Sequence, residues 1–452
     1  MANQTASIPV LDPGQGPLGG TPNALGGRAG PAPLGPVLVF VGLNSLGTGA
    51  VQTGVFFLLR SAYGFAARDN FLFGLFLYGA YIAGALAVGP VMRRGARPAG
   101  GLGTGPGSQR VFSRGSTRRF LGTLVMVQAM IGLVPQIVAW ATGVRTPPVW
   151  TVWLVGIGFG VLTGMMWPIA ESFLSGGRTG KALSRATGKF NIVWAVAVVA
   201  AFWLMAPLLE DRPIAVITLL AFVQAGSVCC LAWFPAEPAK HLETRHEPHP
   251  ASWRRLLTWF RVLLPMGYVL CGAISPLLPG VVDRVGVAGG WAALVASAWV
   301  TSRVFVFAIF ERWDGWHGRF WMPWVAGGGL VGGFAATVAM PPSAGVWALI
   351  AALAVFGVGH ATAYVGALYY AMELGDAEVA AGGTHEALIG AGYAAGPVLG
   401  LIAYFWAGAD HGAAFDSRML GLVGIVVVAV LVAAMVLLAT SRHRMGKTNG
   451  EI

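Results

Sequence analysis

The stretch VWTVWLVGIGFGVLTGMMWPIAES, residues 149–172, contains one charged side chain, the carboxylate of Glu171. A helix that crosses the hydrocarbon core of a bilayer needs about 20 consecutive apolar residues. This stretch is long enough for one crossing, so we predict a transmembrane helix here. A carboxylate inside such a helix costs roughly 2.5–3.5 kcal/mol on insertion scales, which indicates a partner or a task for Glu171.

Similar apolar blocks follow one another along the chain. Of its 452 residues, 56% are hydrophobic and 10% are charged, whereas soluble domains carry about 25% charged residues. An ordinary soluble enzyme is therefore excluded, and we predict an all-α integral membrane protein. Twelve transmembrane helices are predicted, at about residues 37–59, 70–92, 120–142, 149–172, 190–209, 213–234, 260–281, 290–310, 320–340, 345–372, 386–408 and 419–440.

The basic residues give this topology a direction. With strict alternation of the twelve helices, 22 of the 29 Lys and Arg residues fall on one side and six on the other, while Arg303 lies inside the eighth helix. Basic loops stay in the cytoplasm, so both termini are predicted to be cytoplasmic and the protein to lie in the plasma (inner) membrane. The net charge of +11 then faces anionic lipid, and no nucleic-acid partner is expected.

The longest connections divide the chain into parts. We predict a flexible tail (1–35), a six-helix bundle (36–235), a central cytoplasmic linker (236–258), a second six-helix bundle (259–440) and a short tail (441–452). The two bundles echo each other, because Phe-Gly-Val at 159–161 recurs at 356–358. Duplicated halves of this kind are typical of secondary transporters.

Two motifs carry a family resemblance. Residues 89–97, GPVMRRGAR, resemble the G-x-L-x-D-R-x-G-R loop signature of the major facilitator superfamily (MFS), with Arg93 where the family has Asp. The eleventh helix fits G-x8-G-x3-G-P-x2-G, similar to the superfamily's antiporter signature, which the family carries in its fifth helix. Its residues are Gly383, Gly392, Gly396, Pro397 and Gly400. Glycines at this spacing suit close helix packing.

The resemblance implies the MFS fold and a central cavity lined by the first, fourth, seventh and tenth helices. Polar and aromatic residues recur at four-residue spacing in three of these helices, which places them on one helix face. Thr163 and Trp167 correspond to His360 and Tyr364 in the repeat. The substrate-cavity candidates are Asn44, Thr48, Gln52, Thr163, Trp167, His360 and Tyr364. Packing between helices is the alternative for single members of this set, His360 included.

Ionisable residues in or near the spans are the candidates for coupling and gating. For Glu171, the hypotheses are proton coupling and a structural role, either an ion pair with Arg185 or capping interactions near Asn191. Arg303 could meet an anionic solute or an internal acid, or extend to the membrane surface. His385 and Glu386 begin the predicted eleventh helix and are assigned to a cytoplasmic gate or to the helix N-terminus.

These observations predict a secondary active transporter, not an enzyme, that moves a small organic solute by alternating access, with proton coupling as an option. An integral-membrane lipid-modifying enzyme and a transporter-like lipid flippase or sensor are the alternatives. The three cysteines lie in apolar stretches without metal-ligand spacing, and no Walker-type ATP-binding motif is present. No metal or cofactor is expected. The expected partners are the solute and the bilayer, and the expected state is a monomer.

Overall fold

The computed structural model describes residues 30–95, 116–240, 250–287, 289–374, 382–409 and 411–448. Within these ranges it contains fourteen α-helices and no β-strand. The helices are α1 (Leu34–Gly47), α2 (Val55–Tyr63), α3 (Ala67–Gly95), α4 (Ser116–Thr142), α5 (Trp150–Ser175), α6 (Gly180–Met205), α7 (Pro213–Ser227), α8 (Ala251–Arg284), α9 (Gly290–Ala296), α10 (Ala298–Arg312), α11 (Trp321–Val338), α12 (Gly345–Glu373), α13 (Gly382–Ala407) and α14 (Ala413–Thr448).

Eleven helical segments of the described chain are long and apolar enough to cross a membrane. They correspond to every predicted span except the ninth, and α9 with α10 form one of them. The ninth span is occupied by α11, whose tryptophans and glycines lower its mean hydropathy. The multi-pass helical architecture is thus confirmed, and the count of twelve crossings stays a prediction.

The helices form two groups. The N-terminal group, α1–α7, and the C-terminal group, α8–α14, pack mainly within themselves, and they meet where α3 contacts α13 and where α6 contacts α10. Close approach within each group depends on glycine. Gly160 lies against the backbone of α3, and Gly359 of α12 lies against the backbone of α11. Without side chains at these positions, helix axes come close enough for backbone contact.

Hydrogen bonds between helix ends define two sides of the bundle. On the terminal side, where α1 begins, Arg178 donates to the carbonyl oxygen of Ala32, and Arg118 Nη1 donates to the carbonyl oxygen of Phe234 at 2.9 Å. On the distal side, where α2 ends, the Tyr63 hydroxyl donates to a carbonyl oxygen in the loop between α4 and α5 at 3.0 Å. These contacts agree with alternating helix directions, while the side that faces the cytoplasm stays a prediction.

The outer surface of the bundle is rich in exposed apolar side chains, and α14 is exposed along most of its length. Exposed tryptophans gather at both ends of the helices. Trp140, Trp291 and Trp347 lie on the distal side, and Trp233 and Trp324 lie on the terminal side. Two rings of tryptophan are typical of the two interfaces between membrane and water.

Two predicted boundaries differ from the structure. Helix α8 begins at Ala251, inside the predicted linker 236–258, because Leu256 and Leu257 in its first turns are buried in the core. Helix α14 continues to Thr448, inside the predicted C-terminal tail. The predicted N-terminal tail lies outside the described residues up to position 29, and the division into two six-helix bundles stays a prediction.

Candidate functional site

A central cavity lies between the two groups of helices. About 70 Å³ of it is open to the centres of water molecules, and one water needs roughly 10–15 Å³ of such space. The cavity is therefore small, with space for a few water molecules. Its walls come from seven helices and from the segment Thr48–Thr53, and they comprise Thr48, Gln52, Tyr78, Tyr81, Trp167, Glu171, Phe190, Asn191, Trp194, Tyr268, Arg303, Phe307, Tyr364, Glu386, Ile389 and Tyr393.

Two acids in the cavity form what we call the carboxyl pair, Glu171 of α5 and Glu386 of α13. Their carboxyl groups lie within hydrogen-bonding reach of each other, and the hydroxyl of Tyr81 donates a hydrogen bond to Glu386. A carboxylate can only accept hydrogen bonds, so a bond between two carboxyl groups requires a proton on one of them. The carboxyl pair thus brings together two acids from different groups of helices in the wall of the cavity.

Glycines on two helices bring the carboxyl pair and Tyr81 together. Gly160 and Gly164 of α5 lie against the backbone of α3 around Tyr81, so that α3 and α5 touch at this level. Gly390 of α13 lies against the ring of Tyr81, and Glu386 is one helical turn before Gly390. A side chain at any of these glycines would separate α3 from its neighbours and pull the three polar groups apart.

The carboxyl pair lies close to the terminal side. Glu171 is four residues before the end of α5 at Ser175, and Glu386 is four residues after the start of α13 at Gly382. With about 1.5 Å of rise per residue, both positions are about 6 Å along the helix axis from the terminal ends, and Glu171 is about 32 Å from the distal end of α5. The acids are therefore placed asymmetrically across the bundle.

Arg303 of α10 is the cation of the cavity lining. It is 1% exposed, and its guanidinium carbon lies 4.7 Å from the ring centre of Trp194, 5.6 Å from that of Trp299 and 5.5 Å from that of Phe307. Among the described residues, no acid lies within ion-pair distance of Arg303, and its Nε and Nη1 atoms have no hydrogen-bond partner. Aromatic faces stabilise this cation but leave two of its donors unsatisfied.

Tyrosine supplies much of the remaining wall. Five of the nine tyrosines of the chain line the cavity. The rings of Tyr78 and Tyr393 are stacked at 4.9 Å between their centres, and Tyr268 lies 5.1 Å from Tyr393. The hydroxyl of Tyr78 donates to the backbone carbonyl of Gln52 at 2.7 Å. The cavity thus combines flat apolar faces with hydroxyl groups.

The structure brings seven of the predicted candidates into this cavity. They are Thr48, Gln52, Trp167, Glu171, Arg303, Tyr364 and Glu386. The helix boundary at Glu386 differs from the prediction: α13 begins at Gly382, so Glu386 is not the first residue of its helix but is buried in the second turn. The side chain of His385 lies outside the described residues.

Asn44 and Thr163 were predicted to line the cavity, and the structure places them elsewhere. Thr48 and Gln52, both in the π-helix Thr48–Thr53, line the cavity, whereas Asn44, one turn earlier in α1, donates to Ser227 Oγ at 3.0 Å. Thr163 Oγ1 accepts a hydrogen bond from Gln128 Nε2 at 3.1 Å. Both candidates therefore bond to neighbours within the N-terminal group.

His360 also lies behind the cavity wall. It is buried in the C-terminal group, edge-to-face with Tyr268 at 5.1 Å and with Trp299 at 6.2 Å between ring centres. Of the residues that correspond between the two halves, Trp167 and Tyr364 reach the cavity, whereas Thr163 and His360, one turn earlier in each helix, face neighbours within their own group.

Arg185 and the glycine motif lie away from the carboxyl pair. Arg185 is exposed on the terminal part of α6, and among the described residues no ion pair joins it to Glu171. Side chains at Gly392 and Gly396 would meet α8, and one at Gly400 would meet a ring of α3. Gly383 lies in the first turn of α13, and Pro397 lies inside the same helix. The motif therefore borders two helices, one from each group.

Several of the wall residues were not predicted from the sequence, Tyr81, Asn191, Trp194, Tyr268 and Tyr393 among them. For the tyrosines, the sequence does contain a signal. Tyrosines are few, and most of them lie within otherwise apolar spans. A hydroxyl in such a span needs a hydrogen-bond partner, which a polar cavity provides.

Three solved structures that resemble this chain are membrane transporters. The POT family transporter PepTSo has a TM-score of 0.62 at 12% identity, with 90% of this chain and 98% of that chain covered. A bacterial homologue of the human lysosomal transporter Spinster, inward-facing and occupied, has 0.59 at 14% identity, covering 90% and 96%. The nucleoside transporter NupG has 0.58 at 12% identity, covering 88% and 97%.

The TM-scores establish a fold in common with these three transporters. No protein-family model matches the chain, and no curated protein matches its sequence significantly. The structural likeness to these transporters confirms the predicted resemblance to the MFS at the level of the fold.

Proposed function

We propose, from the fold that this chain shares with MFS transporters, that it is a secondary active transporter which moves a small organic solute across the plasma (inner) membrane as a monomer. The observation that carries the proposal is the central cavity between the two groups of helices, with the carboxyl pair buried in its wall. The two groups rock against each other to expose the cavity to one side of the membrane at a time.

Polar contacts between the groups on the distal side support alternating access. We call these contacts the distal bridge. Its ion pair joins Arg60 of α2 to Asp283 of α8 at 2.5 Å. Three hydrogen bonds complete it: Asn70 Nδ2 to the carbonyl oxygen of Pro276 at 3.3 Å, Trp203 Nε1 to Ser297 Oγ at 3.2 Å, and the amide of Gly290 to Glu210 Oε1 at 3.1 Å. Opening towards the distal side requires these contacts to break.

The carboxyl pair supports proton coupling. Two ionised carboxylates at hydrogen-bonding distance in a buried site repel each other strongly, so the pair retains one proton. Its second proton site is filled or emptied according to the side to which the cavity opens. Because Glu171 and Glu386 belong to different groups of helices, rocking of the groups changes their separation and therefore the affinity for protons.

The test is uptake of a panel of radiolabelled small solutes by proteoliposomes with and without an imposed pH gradient. Glu171→Gln mimics a permanently protonated acid at nearly the same volume. We expect this variant to lose gradient-driven accumulation and to retain solute exchange. Glu311→Gln, at an exposed acid in the last turn of α10, is the matched control and should accumulate solute normally.

Equal accumulation by both variants would refute the coupling role of Glu171. Tyr81→Phe, which removes the hydrogen bond to Glu386, gives a second measurement if Glu171→Gln does not fold. It should change the pH at which accumulation is half-maximal, and an unchanged pH profile would also count against the coupling role.

A further inference from the structure

We infer that the solute is an organic monocarboxylate with a flat ring, and that Arg303 binds its carboxylate. This inference rests on the proposed function and deepens it. It starts from the observation that a guanidinium group 99% removed from solvent has donors directed to no protein acceptor.

Among the described residues, Arg303 has no anionic partner. Buried charges are stabilised by opposite charges or by hydrogen bonds, and the contacts nearest to the guanidinium include the ring faces of Trp194, Trp299 and Phe307. Rings accept no strong hydrogen bond from Nε or Nη1. A carboxylate accepts strong, charge-assisted hydrogen bonds from a guanidinium group, so a bound carboxylate would supply the anionic partner that the described part of the protein does not.

The shape of the cavity selects for a ring. Its walls are formed largely by Trp167, Trp194, Tyr268, Tyr364 and Tyr393. These side chains offer flat apolar faces for stacking and hydroxyl groups at their edges. The space between them is small, which favours a compact solute whose flat face can stack on these rings.

The charges of the carboxyl pair and Arg303 favour a solute with a single negative charge. With one shared proton, the carboxyl pair carries one negative charge, which balances Arg303 across the cavity. A bound monocarboxylate adds one negative charge, and a second proton on the carboxyl pair restores neutrality. The tyrosines that face the pair, Tyr81 of α3, Tyr268 of α8, Tyr364 of α12 and Tyr393 of α13, are neutral phenols at neutral pH. A phosphate monoester, with about −1.5 to −2 charges, would leave the loaded cavity negative.

The test is calorimetric titration of the purified full-length protein at pH 7 with four probes. Benzoate has the inferred chemistry, benzamide has the same shape without charge, benzylammonium has the opposite charge, and acetate has no ring. We expect benzoate to bind at least tenfold more tightly than each of the other three. Arg303→Gln should weaken benzoate binding at least tenfold and leave benzamide binding unchanged. The affinity of Arg303→Lys for benzoate should lie between that of the unaltered protein and that of Arg303→Gln. The matched control is Arg312→Gln, on the exposed end of α10.

Several results would overturn the inference. Equal affinities for benzoate and benzamide, a preference for benzylammonium, or full benzoate affinity in Arg303→Gln would exclude the carboxylate site. Equal affinities for benzoate and acetate would exclude the ring. If Arg303→Gln does not fold, the comparison of the four probes with the unaltered protein still decides.

The result of the titration can be distinguished from the result of the uptake assay that tests the proposed function. Titration needs no transport, so benzoate binding without gradient-driven accumulation of any solute would refute the transporter proposal alone. Accumulation of neutral or cationic solutes without benzoate binding would refute only the present inference.

Discussion

Replacing Asp283 with Asn should favour opening of the cavity on the distal side. The substitution removes the charge that Arg60 contacts at 2.5 Å and changes the shape of the side chain little. Because Arg60 and Asp283 belong to different groups of helices, their attraction is present only when the groups are closed on this side. The variant therefore acts on the equilibrium between conformations more than on folding.

The expected size of the effect follows from exposure. Both side chains are 41% exposed, and exposed ion pairs contribute about 0.2–1 kcal/mol. This range corresponds to a shift of about 1.4- to 5-fold in the ratio of distally open to distally closed protein. The three hydrogen bonds of the distal bridge remain in Asp283→Asn, so the closed form should stay well populated.

The measurement is the distribution of distances between two spin labels, by electron–electron double resonance. Val144 and Ser343 are exposed in loops on the distal side, one in each group of helices. Labels at cysteines in these positions should show a growing population at the longer distance in Asp283→Asn.

Asp416→Asn is the matched control for this variant. It removes the two hydrogen bonds from Arg284, at 2.8 and 3.2 Å, but both partners belong to the C-terminal group. It should lower the thermal stability and leave the distance distribution unchanged. An equal shift in both variants, or no shift in Asp283→Asn, would refute the role of the distal bridge.

Three further predictions concern packing, hydrogen bonding and pH. Gly396→Ala places a methyl group against the backbone of α8 and should lower the free energy of unfolding by about 1–3 kcal/mol in a denaturation assay, whereas Gly421→Ala, in open space, should not. Thr163→Val leaves Gln128 Nε2 without its acceptor at 3.1 Å and should cost about 1–3 kcal/mol of stability without changing solute selectivity; a changed selectivity would place Thr163 in the cavity. Burial lowers the pKa of His317, in the loop after α10, against the opposing effects of nearby acids, so the unfolded chain takes up a proton on His317 at a higher pH than the native protein. Stability should fall as the pH drops below about 6.5, and His317→Phe should flatten this decline in melting temperature between pH 7 and pH 5.

The sequence was sufficient to predict the helices and the ionisable positions. Long apolar blocks define membrane spans because the hydrocarbon core tolerates few charges, and the same sparseness isolates Glu171, Arg303 and Glu386 in or beside these blocks. All three line the central cavity. Their partners could not be predicted, because Glu171 and Glu386 meet only through the glycine contacts of α3 with α5 and with α13.

Helical periodicity failed at three positions, because four-residue spacing does not say how far along a helix the cavity extends. Asn44 is one turn before Thr48, which lines the cavity, but it donates to Ser227 within its own group of helices. Thr163 and His360 are one turn from Trp167 and Tyr364, yet they face neighbours in their own groups.

The depth of the carboxyl pair has an electrical consequence for the proposed transport cycle. The pair lies about 6 Å along the helix axis from the terminal ends of α5 and α13, and the distal end of α5 is about 32 Å away. A proton that arrives from the distal side therefore crosses most of the membrane potential before it binds, and each 100 mV contributes about 2.3 kcal/mol per charge over the full thickness. The membrane voltage thus favours proton binding from the distal side, as a higher local proton concentration would. The loaded cavity is neutral, so its reorientation from one side of the membrane to the other moves no net charge.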